Sequence, residues 1–217
     1  MSESSALRTM MVDTQVRPSN VTKYPVIEAM LAVPREAFVP HALREAAYAD
    51  APVTLESGRV VLEPRSFAKM LDALDIQQGD LVLDLGCGLG YSAAILARMA
   101  DFVVALEDDA AAAEEAERRL SAAGVDNVAV IAGALNQGAP KHAPYDVIVL
   151  EGGAEKIPEA ILDQLKEGGR IAALFVEGRV GAVRIGHKHK GHVDWTFAFN
   201  AWAPVLAGFE AETEFAL

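Results

Sequence analysis

Three glycines at alternate positions, Gly86, Gly88 and Gly90, follow Asp84, and this stretch carries the residue types and spacing that most clearly point to chemistry. Glycine has no Cβ, so such a loop bends tightly and presents its N–H groups to a ligand at close range. Before it, Leu81, Val82, Leu83 and Leu85 form a short apolar run suited to a strand buried on both faces. After it, Ala94, Ile95 and Ala97 take helical spacing from Tyr91 onward. The sequence therefore predicts a strand, a glycine turn and a helix N-terminus, which is where α/β sheets bind nucleotides.

The acid narrows the ligand. A dinucleotide loop of the G-x-G-x-x-G type has its third glycine where this chain has Tyr91, and its strand usually carries an apolar residue at the position of Asp84. The pattern D-x-G-x-G-x-G instead resembles the loop of class I S-adenosylmethionine-dependent methyltransferases, whose cofactor ends in a cationic methionine. That resemblance makes S-adenosyl-L-methionine the expected cofactor, with Asp84, Gly86, Cys87, Gly88, Gly90 and Tyr91 as expected contacts. A second apolar run ends at Glu107, where a carboxylate in a Rossmann-like unit takes the ribose hydroxyls. The run Glu107, Asp108, Asp109 also suits the first turn of the next helix, which favours negative charge, and the two roles can be shared among the three.

Composition limits the function classes. With 217 residues, 52% of them hydrophobic, the chain has enough apolar material for one substantial core. A net charge of −12 disfavours nucleic acid and anionic membrane, both of which reward clustered Lys and Arg. No apolar run is long enough to span a bilayer, and the polar start MSESSALR lacks a signal-peptide core, so a cytoplasmic location is expected. Cys87 is the single cysteine, which rules out an internal disulfide and a cysteine-based metal cluster and reads as a small loop residue. His187, His189 and His192 stand among lysines with no carboxylate between them, so a solvated hairpin turn is expected there and no metal.

The elements that must position this loop follow from periodicity. Leu7, Met10 and Met11 form a narrow apolar stripe that packs on its own domain or on a second subunit in a homodimer. Two helical stretches follow, one through Val26 to Leu31 and one from Arg35 to Ala47, with Pro25, Pro34 and Pro40 as punctuation. Residues 1–79 thus read as a helical, acceptor-side cap on a core of residues 80–217, the two making a single domain. A turn at Ser57-Gly58, a short β-prone run from Val60 to Leu62 and a helix opened by Pro64 close the cap. Beyond the loop, strands end at Glu107, Ala132, Leu150 and Val176. The helices between them run to Leu120, with Glu114–Arg118 and Glu115–Arg119 pairs, and from Ile157 to Leu165, ending at Gly168-Gly169. This alternation predicts an α/β, Rossmann-like doubly wound sheet, mostly parallel. Runs at 181–185, 193–200 and 213–217 without long helices predict an antiparallel finish.

Four blocks in this order resemble the protein-L-isoaspartate (D-aspartate) O-methyltransferases: AMLAVPREAFVP, AYADAPVTLESG before the Pro64 helix, the glycine-loop unit, and YDVIVLEGGAEKIPEAILDQLKEGGRI. The resemblance covers Val26 to about Ala173 and implies methyl transfer to a carboxylate, that of isoaspartyl residues in damaged proteins. It also implies an acceptor site built by the segment before the first core strand. Two departures stand out. The family's Thr-Ile-Ser before the proline-led helix is replaced by Val60-Val61-Leu62, and Ala134 stands where the family has an acid on adenine. Arg59 and Arg65 flank the altered motif and are candidates to bind an acceptor carboxylate, or else surface arginines. Three readings remain open: an isoaspartyl methyltransferase, a methyltransferase with another acceptor, whether protein, peptide or small molecule, and a non-catalytic S-adenosylmethionine-binding protein.

Overall fold

Described for residues 3–56 and 58–211, the computed structural model begins with helix α1 (Glu3–Met11), which runs through a π-turn and a 3₁₀ turn to Asn20. Met11 is buried and Leu7 packs on the core of its own domain from a half-buried position, while Met10 is exposed. Helix α2 (Tyr24–Ala32) starts on Pro25, whose fixed φ and missing N–H suit a first turn.

The next predicted helix is not there. Residues 35–47 form two 3₁₀ turns, Arg35–Phe38 and His41–Leu43, because Pro40 cannot supply the N–H that would bridge them. Strands β1 (Val53–Thr54) and β2 (Val60–Val61) pair as a minimal antiparallel hairpin. Of the predicted Ser57-Gly58 turn, Gly58 has a positive φ of 78° and Ser57 lies outside the described residues. Helix α3 (Pro64–Leu74) then buries Phe67, Met70, Leu71 and Leu74.

The core sheet follows: β3 (Leu81–Leu85), α4 (Tyr91–Leu96), β4 (Phe102–Glu107), α5 (Ala110–Ala122), β5 (Val128–Ala132), β6 (Tyr145–Ala154), α6 (Glu159–Leu162), β7 (Leu165–Glu177), β8 (Val180–His189) and β9 (His192–Asn200). Its seven strands lie in the order β5-β4-β3-β6-β7-β8-β9. The first five are parallel, while β8 and β9 return antiparallel as predicted. His189 pairs with His192 across a turn in which Lys190 and Gly191 both have positive φ. The strand predicted at 213–217 lies outside the described residues.

Three local expectations are corrected. The helix drawn from Ile157 to Leu165 is a single turn, because Leu165 already pairs with Tyr145 and Gly168-Gly169 lie inside β7. Gly152-Gly153 do not end β6 but sit within it, beside a register shift against β7. On α5, Arg118 and Arg119 both reach Glu115, at 2.5 and 2.6 Å, so Arg118 takes the nearer carboxylate three residues back.

Side chains alternate between two clusters, one on each face of the sheet. Val82, Val103 and Val147 join the cap helices, α3 and α4 on one face; Leu83, Leu85 and Val104 join Ile161, Leu206 and Phe209 on the other. Arg119 ties cap to core by donating to the carbonyls of Ala37 and Val39, each at 2.8 Å. The strand order reverses at β3, with β4 on one side and β6 on the other, and that switch point is where open α/β sheets bind ligands.

Candidate functional site

At the carboxyl end of β3 the chain turns through Gly86, Gly88 and Gly90, with φ of 84°, 56° and 94°. A Cβ at Gly90 would come within 3.2 Å of Leu120, so this glycine lets α4 and α5 pack closely. A Cβ at Gly88 would lie 2.8 Å from Leu55, and one at Gly86 would lie 3.4 Å from Nη2 of Arg59. The ligand-facing side of the loop is therefore in contact with the β1–β2 hairpin.

Asp84 is fully buried one strand residue before the loop. Its Oδ2 accepts a hydrogen bond from the Ser92 hydroxyl at 2.7 Å, while Oδ1 has no partner. Burial, with the nearby Glu107 adding to it, pushes its carboxyl up to about 7 against the hydrogen bond from Ser92. Glu151 lies at 5% exposure on β6 with Oε1 unpaired, and burial followed by the proximity of Asp84 raises it well above the carboxylate range. Cys87 is buried, and desolvation pushes its thiol up, away from a reactive thiolate.

Glu107 ends β4 with 1% exposure and every oxygen engaged. Arg59 donates Nη1 to Oε1 at 2.6 Å and Nη2 to Oε2 at 2.7 Å; Gly88 N–H donates to Oε2 at 2.6 Å, and Asp109 N–H to Oε1 at 3.2 Å. Arg59 also donates to Asp108 at 2.5 Å and to the Gly86 carbonyl at 2.8 Å. Desolvation raises Glu107 despite this pairing, and the bonds to Glu107 outweigh burial in raising Arg59. Asp109 caps α5, accepting from the N–H groups of Ala111 and Ala112, the helix role expected of one member of the acidic run.

Two spaces adjoin this cluster. An inner cleft of about 10 Å³ is walled by Gly86, Ser92, Glu151, Val60 and Val61, room for about one water. An outer pocket of about 340 Å³ opens beside Arg59, Glu107, Ala111 and His41. Leu55 and Gly88 border both.

The predicted residues thus fall into two groups. Asp84, Gly86, Cys87, Gly88, Tyr91, Glu107, Arg59, Val60 and Val61 come together around the loop. Leu62 is buried nearby and offers its carbonyl to Arg35 at 2.8 Å. Arg65 stays outside, half exposed and 3.6 Å from both Asp50 and Glu63, and Ala134 is exposed beyond the end of β5. Arg59 is not a surface arginine: it is buried, and its two terminal nitrogens are committed to Glu107, Asp108 and the Gly86 carbonyl, which leaves only Nε without a partner.

Sequence reasoning missed Arg35, Leu55, Ser92 and Glu151. Arg35 is fully buried, donates to the Ala47 and Leu62 carbonyls and lies 4.6 Å from the Tyr91 ring centroid. A lone charge inside the apolar block AMLAVPREAFVP and an acid at the end of the β6 run were the available signals.

The donor set fits S-adenosylmethionine: a buried carboxyl at Asp84 with Oδ1 unpartnered, a loop with glycine at alternate positions, and a second buried carboxylate on the neighbouring strand. Comparison with known proteins agrees. The family profile of protein-L-isoaspartate(D-aspartate) O-methyltransferase matches residues 7–194. A protein-L-isoaspartate O-methyltransferase of Methylorubrum extorquens is 44% identical over 164 residues, 76% of this chain and 72% of that one. One from Ignicoccus hospitalis is 42% identical over 159 residues, 72% of this chain and 75% of that one. Among solved structures, a protein-L-isoaspartate O-methyltransferase superposes with TM-score 0.79 at 24% identity, covering 94% of this chain and 66% of that one. A Plasmodium falciparum structure, described as a beta-aspartate methyltransferase in complex with S-adenosyl-L-homocysteine, gives TM-score 0.79 at 20% identity, covering 95% and 99%. The chain belongs to the protein-L-isoaspartate(D-aspartate) O-methyltransferase family and is an S-adenosylmethionine-dependent methyltransferase.

Proposed function

We propose that this chain methylates a carboxylate on a protein or peptide, with the isoaspartyl residue named by its relatives as the acceptor. The observation that carries the reading is the pair of buried acids, Asp84 and Glu107, on neighbouring strands either side of the glycine loop. In this reading Asp84, Gly86, Cys87, Gly88 and Gly90 hold the methionine end and Glu107 the ribose. Tyr91 orders the loop from below, between Phe38, Phe67 and Arg35. The whole of residues 1–217 works as one domain, in the cytoplasm. Among the described residues no helix is long and apolar enough to cross a membrane.

When bound, S-adenosylmethionine supplies an electrophilic methyl group and its own leaving group. An acceptor carboxylate is ionised at neutral pH, so this chain needs no general base. Its residues contribute alignment and the exclusion of water. Val60 and Val61 present an apolar wall to the inner cleft, which keeps water from competing but offers no hydroxyl to the acceptor.

That wall favours a second reading, a less polar acceptor on the same machinery. One assay separates the two. Isoaspartyl and aspartyl peptides of the same sequence are incubated with methyl-labelled S-adenosylmethionine, and base-labile label is counted. Label on the isoaspartyl peptide alone is the expected outcome. Absence of label from protein that binds S-adenosylhomocysteine by calorimetry overturns the isoaspartyl assignment. Formation of S-adenosylhomocysteine with some other acceptor then establishes the second reading.

A further inference from the structure

The hairpin that carries Arg59 and Leu55 stands where the cofactor's sugar would have to lie. That position follows from Glu107 as the ribose acid of the proposed function. Both of its oxygens are held by the Arg59 guanidinium in a paired, fork-shaped contact, the strongest kind of ion pair a carboxylate makes. A ribose seeking the same oxygens meets a competitor already there. Leu55 completes the obstruction, because it lies against Gly88 and forms a wall of both the inner cleft and the outer pocket. The inner space cannot take a ligand by itself: it is about 10 Å³, and ligand pockets are about 300 Å³ or more. With Arg59 and Leu55 withdrawn, the inner cleft beside Asp84 and the 340 Å³ outer pocket beside Glu107 become one channel along the loop.

The hairpin's own ladder is short. Its strands are two residues each, joined by the register Val53↔Val61 and Thr54↔Val60, with Leu55 N–H on the Arg59 carbonyl at 2.8 Å beyond them. So short a ladder is weak by itself, and weakly held segments open below the global unfolding free energy. Glu56 and Gly58 are exposed at its tip, and Ala51-Pro52 lead into it from the surface. The guanidinium has an acid to hold in the closed state and solvent to enter in the open one.

We propose that Arg59 is a built-in occupant of the ribose subsite, and that cofactor binds only to the fraction of molecules in which Arg59 and Leu55 have moved off Glu107 and Gly88. Apparent affinity is then the intrinsic affinity reduced by that open fraction. Removing the occupant raises it.

Calorimetric titration with S-adenosylhomocysteine tests this on four full-length chains: wild type, Arg59→Ala, Leu55→Ala, and Arg59→Ala combined with Glu107→Ala. Thermal unfolding without ligand confirms folding of each. Arg59→Ala and Leu55→Ala should bind about tenfold more tightly than wild type, corresponding to an open fraction of about a tenth. Glu107→Ala added to Arg59→Ala should abolish that gain and weaken binding further. Unchanged or weaker binding by Arg59→Ala overturns the proposal while leaving the ribose reading intact, provided that the double variant is weaker still. A double variant that binds as well as Arg59→Ala overturns the ribose reading and the proposal with it. Should Arg59→Ala not fold, Leu55→Ala decides alone: tighter binding supports the occupant, and equal or weaker binding removes it.

Discussion

A carboxyl held near neutrality inside a protein is a pH-dependent load on the fold, and Asp84 is such a group. Its ordinary value is 3.8, and burial lifts it to about 7. Between those values the folded chain keeps a proton that the unfolded chain has released. Stability therefore falls as pH rises through that window; the contribution of the neutral carboxyl is whole below about 4 and gone above about 7. The slope is at most about 1.4 kcal/mol per pH unit, or about 2–4 °C of melting temperature for each kcal/mol in a chain of this size. Asp84→Asn keeps the shape and cannot ionise. Its melting temperature relative to wild type should therefore rise from about pH 4 to about pH 7 and level off above that, in the absence of cofactor. A difference that stays flat over that range means that Asp84 is already ionised in the folded protein. That Asp84 and Glu107 would lie close together was legible in the sequence, because one stands next to last in its strand before the glycine loop and the other ends the following strand. That Arg59 would sit on Glu107 was not. The pairing spans 48 positions and depends on where the hairpin folds back, which no local pattern encodes.

At the scale of elements, legibility followed the source of stability. Helix α3 was visible because its own period buries Phe67, Met70, Leu71 and Leu74 on one face and Pro64 starts it. Residues 35–47 and the end of the predicted helix, 163–165, differ from the sequence reading because their backbone conformation is set from outside: Pro40 breaks the first, and pairing of Leu165 with Tyr145 pulls the second into β7. Helix α3 also has a task beyond its own packing. Phe67 meets the Tyr91 ring at 6.0 Å with planes inclined by 52°, so this helix supports the first residue of α4 directly after the glycine loop. Leu71→Ala, at a position with no exposure, should cost about 2–5 kcal/mol in urea unfolding while leaving the slope with denaturant unchanged. A loss below about 1 kcal/mol would mean that the cap packs more loosely than its burial indicates.

The whole molecule closes its site from both ends of the chain. The N-terminal cap brings Arg59 and Leu55 over the glycine loop, and the segment after β9 returns beneath it. There Gly153 N–H donates to the Pro204 carbonyl at 2.8 Å, and Leu206 N–H donates to the Gly153 carbonyl at 2.9 Å, a strand-like bridge onto the carboxyl end of β6. Leu206 and Phe209 are buried by this return. Leu206 stands 2.5 Å from where a Cβ of Gly152 would be and 3.6 Å from that of Gly86, which makes it the floor under the loop. The pairing of a terminal leucine with two glycines more than fifty positions earlier is invisible to periodicity, though the glycines themselves were noticed. It makes a quantitative prediction. Leu206→Ala should destabilise by about 2–5 kcal/mol through the cavity it leaves. Gly152→Ala should destabilise because the new methyl meets Leu206. In the Leu206→Ala background the same methyl enters vacated space, so the double variant should be more stable than the sum of the single losses by about 1–2 kcal/mol. Urea unfolding of the four chains measures that coupling, and additivity within about 0.5 kcal/mol would show that Leu206 is not the neighbour that keeps residue 152 a glycine.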